Sequence, residues 1–181
     1  LGPGVRRGGY IAGISFAIED GPGFYLPIRH GDGGNMDPEK VLGYLREMGA
    51  KFDGTLVGAN LGYDLDFLEE ESITFPQVKW FRDVQVADPL INELHYNYSL
   101  DAISERWGIP GKDETLLLEA LAAYGYKGRS AKAGIWALHS KFVGPYGEQD
   151  ARLPLNILRR QEREIEEQDL WRIYDLESRV L

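Results

Sequence analysis

The chain has 181 residues, and its 29 Asp and Glu outnumber its 20 Lys and Arg, giving a formal net charge of −9. At 43% hydrophobic and 27% charged it has the composition of one globular domain, and no apolar run reaches the 18 residues of a membrane span. Without cysteine it has no disulfide, thiol nucleophile or thiolate zinc site, and with three histidines a bound metal would need carboxylate ligands, which suit Mg²⁺ or Mn²⁺.

The first third predicts a hairpin followed by a helix. Residues 10–19 are apolar and nearly uncharged, as in a buried strand, and after a turn at 20–23 residues 24–28 form a returning strand. Pro27 has no N–H to donate, so we expect this second strand at a sheet edge. Asp37 and Pro38 predict the start of a helix that ends at Gly49. Its buried face is predicted to contain Val41, Leu42, Tyr44, Leu45 and Met48.

The remaining elements complete an α/β pattern. Residues 55–59 predict a short buried strand that runs into a helix from about Leu61, and residues 82–86 predict a further strand. From Asp88 onward the pattern is helical. The order predicts a small mixed sheet flanked by helices, with a helical C-terminal half.

Two short segments contain residues suited to catalysis. Asn60 and Asp64 lie where a predicted strand ends and a helix begins, and open α/β sheets place their sites at such ends. A purely structural alternative is that Asn60 caps the helix and Asp64 favours its dipole. Tyr146 and Asp150 are four residues apart and share one helical face. The purely structural alternative for this pair is that Tyr146 packs in the core and Asp150 is a solvated acid.

A local reversal of charge lies between these segments. Residues 120–147 contain no acid and four cations, Lys127, Arg129, Lys132 and Lys141. This is either a solvated loop surface or a place for a phosphate backbone.

The motifs, taken in order, resemble the 3′→5′ proofreading exonuclease domain of family A DNA polymerases, phage-like, which belongs to the DEDD superfamily, tyrosine subclass. VGANLGYDLDFL (57–68) resembles its second exonuclease motif through Asn60 and Asp64, and YGEQDA (146–151) resembles its third through Tyr146 and Asp150. The other stretches that carry the resemblance are 10–30, 83–91, 99–109 and 170–181.

The resemblance implies a ribonuclease H-like exonuclease domain over residues 1–168, with residues 169–181 starting a helix that leads to a polymerase domain. It implies hydrolysis of the 3′-terminal nucleotide of single-stranded DNA with two divalent ions, Mg²⁺ or Mn²⁺. Asp150 and Asp64 would be metal ligands, and Tyr146 would orient the attacking water. Asn60 and the four cations would contact the DNA. The implied partners are a single-stranded 3′ end and a polymerase domain of the same chain, without a membrane, in the cytoplasm of a bacterial or phage-infected cell.

Two departures from the family pattern lead to further expectations. The first motif, Asp-x-Glu, is absent, and Glu19 and Asp20 are no substitute because they fall at a hairpin turn. We expect its central strand upstream of Leu1, between strands 10–19 and 55–59, and little activity from residues 1–181 alone. Pro154 removes the N–H that would reach the Asp150 carbonyl, which predicts a kink or restart in that helix. The alternatives are a non-catalytic nucleic-acid-binding scaffold of a polymerase, or an exonuclease of ribonuclease D or Werner type.

Overall fold

The structure, a computed structural model, describes residues 4–179. A single 3₁₀ turn at Val5–Arg7 precedes an antiparallel hairpin of β1 (Gly13–Ala17) and β2 (Gly23–Pro27). Gly13 pairs with Pro27 at one end of the register and Ala17 with Gly23 at the other. The predicted hairpin is confirmed, with strands shorter than predicted, and Pro27 closes β2 where the ladder ends.

The first long helix, α1 (Pro38–Lys51), begins where the sequence predicts. The Asp37 carboxylate accepts the N–H of Glu39 at 3.1 Å and that of Lys40 at 3.2 Å, which caps the helix. The predicted end at Gly49 is wrong, because this residue is a buried part of the helix. A Cβ on it would come within 2.7 Å of the Thr74 carbonyl oxygen, so glycine permits close packing here rather than a helix end.

The buried face of α1 is narrower than predicted. Val41 and Leu42 are buried and Leu45 is partly buried, as expected. Tyr44 is 56% exposed and Met48 is 46% exposed, which corrects the prediction for both. The contact of Gly49 with the 73–75 segment fixes the rotation of α1 and turns these two side chains outward.

A parallel strand pair follows α1. Strand β3 (Thr55–Gly58) leads into α2 (Leu61–Glu70), and β4 (Trp80–Asp83) returns beside β3 with Gly58 opposite Asp83. The predicted strand and helix at 55–61 are confirmed.

The predicted strand at 82–86 is correct only in its first two residues. From Val84 to Ile91 the chain forms helix α3, because the Asp83 side chain caps it by accepting the N–H of Gln85. The β-branched Val84 and Val86 favoured a strand in the sequence, and the cap overrides that preference.

The C-terminal half is helical, as predicted. Its elements are α4 (Leu100–Arg106), α5 (Thr115–Ala123), 3₁₀ segments at Gly128–Ala137 and Ser140–Phe142, α6 (Gly144–Glu167) and α7 (Trp171–Ser178). Helix α6 runs through Pro154 without a restart. Its apolar face stays buried on both sides of the proline, at Leu153 and Ile157, so packing maintains the helix across the lost hydrogen bond.

The strands form two small sheets instead of one mixed sheet, which corrects that part of the prediction. Within residues 4–179, β1 pairs only with β2, and β3 pairs only with β4. Helix α6 contacts β1, β2 and β3 and thereby joins the two sheets. Gly23 and Gly147 allow this close approach, since a Cβ at Gly23 would collide with the Glu148 carbonyl and one at Gly147 with the Tyr25 ring. The protein is thus a mixed α/β structure organised around α6.

None of the helices in the described part of the chain combines the length and hydropathy that a membrane crossing requires.

Candidate active site

One buried carboxylate organises the carboxyl ends of the parallel strands. Asp83 accepts the N–H of Leu61, the first residue of α2, at 2.7 Å and that of Gln85 at 2.8 Å. Asp83 therefore fixes the starts of two helices, a role that the sequence analysis did not assign to it. Asn60 adopts a left-handed conformation (φ 58°, ψ 46°), and its side chain makes no capping hydrogen bond. The Asn60 backbone forms the strand–helix corner, and contact of this residue with DNA stays a prediction.

Asp64 lies in the first turn of α2, beside that corner. Surrounding protein and the charges of Asp150 and Asp83 raise its pKa from 3.8 to about 6. Burial is the largest cause, and the contribution of the two charges requires that those carboxylates lie near Asp64. The structure thus brings Asp64 and Asp150 into one neighbourhood, although they belong to different helices. Asp64 keeps an exposed face, so solvent or an ion can reach it.

Asp150 and Tyr146 lie one turn apart on α6. The Asp150 side chain is 38% exposed and accepts a hydrogen bond from Lys112 Nζ at 2.7 Å. The Tyr146 ring centroid is 5.2 Å from Lys112 Nζ and 5.3 Å from Lys132 Nζ. Burial and the charge of Asp150 raise the Tyr146 pKa, against the opposing effect of the two ammonium groups. Tyr146 therefore carries a neutral hydroxyl, able to orient a water and unsuited to act as a base.

Lys112 is the member of the site that sequence reasoning missed. Its side chain is 7% exposed, and its ammonium also lies 3.3 Å from Asp101. Burial lowers the Lys112 pKa, but the attraction and hydrogen bond of Asp150 outweigh burial and raise it overall, so the group stays charged. No local motif signals Lys112, because it precedes Asp150 by 38 positions in the chain.

The predicted DNA-binding cations fall into two groups. Lys132 belongs to the site, where it approaches the Tyr146 ring and pairs with Glu114 at 2.5 Å. Lys127, Arg129 and Lys141 are exposed, and none has an ion pair within residues 4–179.

The two predicted metal ligands are of the chemical type that divalent ions bind. Asp64 and Asp150 provide carboxylate oxygens, the donors that Mg²⁺ and Mn²⁺ prefer. In the described part of the chain no three Asp, Glu or His side chains converge closely enough to hold an ion, and Asp83 is engaged as a helix cap. Asp64 and Asp150 would therefore supply only part of the ligands that such an ion requires.

These elements define an α/β protein in which α6 carries a tyrosine and a carboxylate beside the buried Lys112 and the half-buried Lys132. No family model matches the chain. It is similar to a DNA-directed DNA polymerase of Pseudomonas phage M6, with 62% identity over 183 aligned residues that include the whole of this chain. The chain spans 27% of the length of that relative.

Proposed function

We propose that this chain is the 3′→5′ exonuclease domain of a phage DNA polymerase of family A, with a ribonuclease H-like fold, and that it removes the 3′-terminal nucleotide of single-stranded DNA. The observation that carries the proposal is the packing of α6 against β3, the strand that leads into α2, because this contact brings the helix of Tyr146 and Asp150 to the helix of Asp64. The effect of the Asp150 charge on Asp64 agrees with that arrangement. The similarity to a phage polymerase supports a setting within a polymerase chain over a free-standing ribonuclease D or Werner-type enzyme.

The proposed roles follow from the positions of the side chains. Asp64 and Asp150 would hold divalent ions together with further carboxylates outside this stretch. Two such ions, when bound, stabilise the attacking and leaving oxygens of a phosphodiester. The Tyr146 hydroxyl, one turn from Asp150, holds the attacking water by a hydrogen bond. Lys132 lies beside Tyr146, where its charge favours the approach of the DNA phosphates.

The test uses the full-length polymerase and a 3′-labelled single-stranded oligonucleotide with Mg²⁺ or Mn²⁺. Asp64→Ala and Asp150→Ala should each abolish release of the terminal nucleotide and leave primer extension intact. Asp66→Ala on α2 and Glu167→Ala on α6 are matched controls, because both acids are exposed on the same helices. If Asp64→Ala and Asp150→Ala degrade the oligonucleotide as fast as the controls do, the proposal is wrong.

A second candidate function is favoured by the Lys112–Asp150 ion pair. A carboxylate already neutralised by a buried lysine suits a domain that binds single strands without hydrolysing them. The same experiment separates the two candidates, since a scaffold would show no metal-dependent release of nucleotide in the wild-type polymerase.

A further inference from the structure

Two clefts adjoin Lys112, and they differ in charge. The larger, of about 500 Å³, is lined by Asp101, Glu105 and Glu114, which repel a phosphate. The smaller, of about 180 Å³, lies between the loop at 110–112 and the face of α6 that runs from Gln149 to Asn156. Its lining contains no acidic residue.

The smaller cleft is lined by hydrogen-bond donors on one stripe of α6. Gln149, Arg152 and Asn156 are three and four residues apart, so their side chains follow one another along the same face. At 1.5 Å per residue this stripe extends about 10 Å along the helix. It starts beside Asp150, so a strand whose end reaches Asp150 would lie along it.

The donors of this stripe are largely uncommitted. Arg152 forms no ion pair within the described residues, and its only hydrogen bond there goes to the carbonyl of Glu148 at 3.4 Å. The Gln149 side-chain oxygen accepts the N–H of Asp113 at 2.8 Å, which leaves its amide N–H groups for a ligand. Asn156 is exposed.

We infer that this cleft binds a phosphodiester of the single strand, next to the one that is cleaved. The inference rests on the proposed function and adds a second contact for its substrate. Guanidinium and side-chain amide groups are the donors that proteins direct at DNA phosphates. A volume of about 180 Å³ is smaller than the 300–1,000 Å³ or so of clefts that hold drug-sized ligands, so it suits a phosphate group and not a whole nucleotide.

The test measures binding and hydrolysis separately in the full-length polymerase. Binding of a labelled single-stranded oligonucleotide is followed by fluorescence anisotropy with chelator present and with the polymerase site saturated by primer–template duplex. Arg152→Ala should weaken binding roughly three- to tenfold at low salt and reduce the dependence of log K on log salt by about 0.7, the value for one lost phosphate contact on a single strand. The loss should be equal for oligo-dT and oligo-dA, because a phosphate contact carries no sequence information.

Arg160→Ala is the matched control, because it removes the same charge from an exposed position on the same helix, outside the cleft. Arg152→Lys should restore part of the affinity, and Asn156→Asp should weaken binding more than Asn156→Ala does. In hydrolysis assays the Arg152→Ala change should appear mainly in KM.

Failure of this inference differs from failure of the proposed function. Equal binding constants and salt slopes for Arg152→Ala and Arg160→Ala would overturn the phosphate site even if the polymerase hydrolyses DNA. Selective loss of binding in Arg152→Ala would support the site even if no hydrolysis occurs.

Discussion

The ammonium group of Lys112 lies 2.7 Å from a carboxylate oxygen of Asp150, and this contact joins the loop before α5 to the centre of the candidate site. The same ammonium is 3.3 Å from Asp101, so one buried cation compensates two carboxylates. Any divalent ion that binds Asp150 must compete with Lys112 or push it toward Asp101. The electrostatic balance of the site therefore depends on a residue outside its motifs.

Replacing Lys112 by methionine should destabilise the protein when metal is absent. The change keeps most of the side-chain volume and leaves Asp150 and Asp101 without their shared cation. Because Asp150 and Asp101 are partly exposed, we expect a loss of about 1–2 kcal/mol, less than for a fully buried pair. Thermal unfolding of the 181-residue chain in chelator measures this loss.

Added Mn²⁺ should then raise the Tm of Lys112→Met more than that of the wild type, because a competitor for Asp150 has been removed. Lys51→Met is the control, since Lys51 pairs with Glu47 on an exposed surface. Indistinguishable Tm values for Lys112→Met and Lys51→Met would show that the Lys112 ion pairs contribute nothing.

Asp64→Asn should stabilise the metal-free protein at neutral pH and not at acid pH. The folded pKa of Asp64, about 6, exceeds its ordinary value of 3.8, so folding favours the protonated carboxyl. Its contribution to stability is complete below pH 3.8 and is lost as the pH rises through 6. Asparagine cannot ionise, so the variant does not lose this stability at neutral pH. We expect its free energy of unfolding there to exceed that of the wild type by less than about 1 kcal/mol, because solvent screens the exposed side of Asp64.

The measurement is Tm against pH for the Asp64→Asn and wild-type chains, both in chelator. The two curves should coincide near about pH 3.5 and separate above about pH 6. Curves that stay parallel over this range would contradict the raised pKa.

The local signals of the sequence predicted positions well and tertiary arrangement less well. Asp37 as the cap of α1 is set by residues within one turn and is confirmed, and the predicted helix start at Leu61 is confirmed as well. The helix from Val84 was missed because Val84 and Val86 favoured a strand and Asp83 was not recognised as a cap. Asp83 also accepts the N–H of Leu61 in α2. Such a contact between segments 22 positions apart leaves no local pattern.

In the candidate site, too, the sequence predicted local features and missed contacts between distant segments. Asp64, Tyr146 and Asp150 stand at predictable places in their helices, whereas Lys112 enters through a loop whose path depends on the packing of α4 and α6. The separation of the sheets was also beyond the sequence, because it depends on the packing of α6 against both of them. The close approach of α6 to the hairpin depends on glycines at positions 23 and 147.

Tyr146→Phe should slow hydrolysis without abolishing it. The change removes only the hydroxyl that would orient water, while Asp64 and Asp150 remain to hold the ions. We expect kcat on single-stranded DNA to fall roughly ten- to hundredfold, against complete loss in Asp150→Ala. Single-turnover assays of the full-length polymerase measure this. Equal losses in the two variants would show that Tyr146 does more than orient water.

Arg82→Met should loosen α7. The Arg82 side chain is 8% exposed, donates to Asp175 on α7 at 2.8 Å, and lies within 4.7–5.3 Å of the ring centroids of Trp80, Trp171 and Tyr174. Loss of these contacts should lower the free energy of unfolding by about 2–4 kcal/mol and speed proteolysis within 171–178. Arg172→Met, an exposed change on the same helix, is the control.

Charge-reversal variants should have different effects in the two groups of cations between α5 and α6. Lys127 and Arg129 are exposed without ion pairs in the described residues, so Lys127→Glu with Arg129→Glu should weaken single-strand binding and lower the salt slope by about 1.4, or 0.7 for each phosphate contact. Lys132→Glu places a carboxylate beside Glu114 and the Tyr146 ring, so we expect lower stability and lower hydrolysis together. Anisotropy over a salt series, combined with thermal unfolding, distinguishes these effects. An unchanged salt slope in the double variant would mean that these cations are a solvated surface and do not contact DNA.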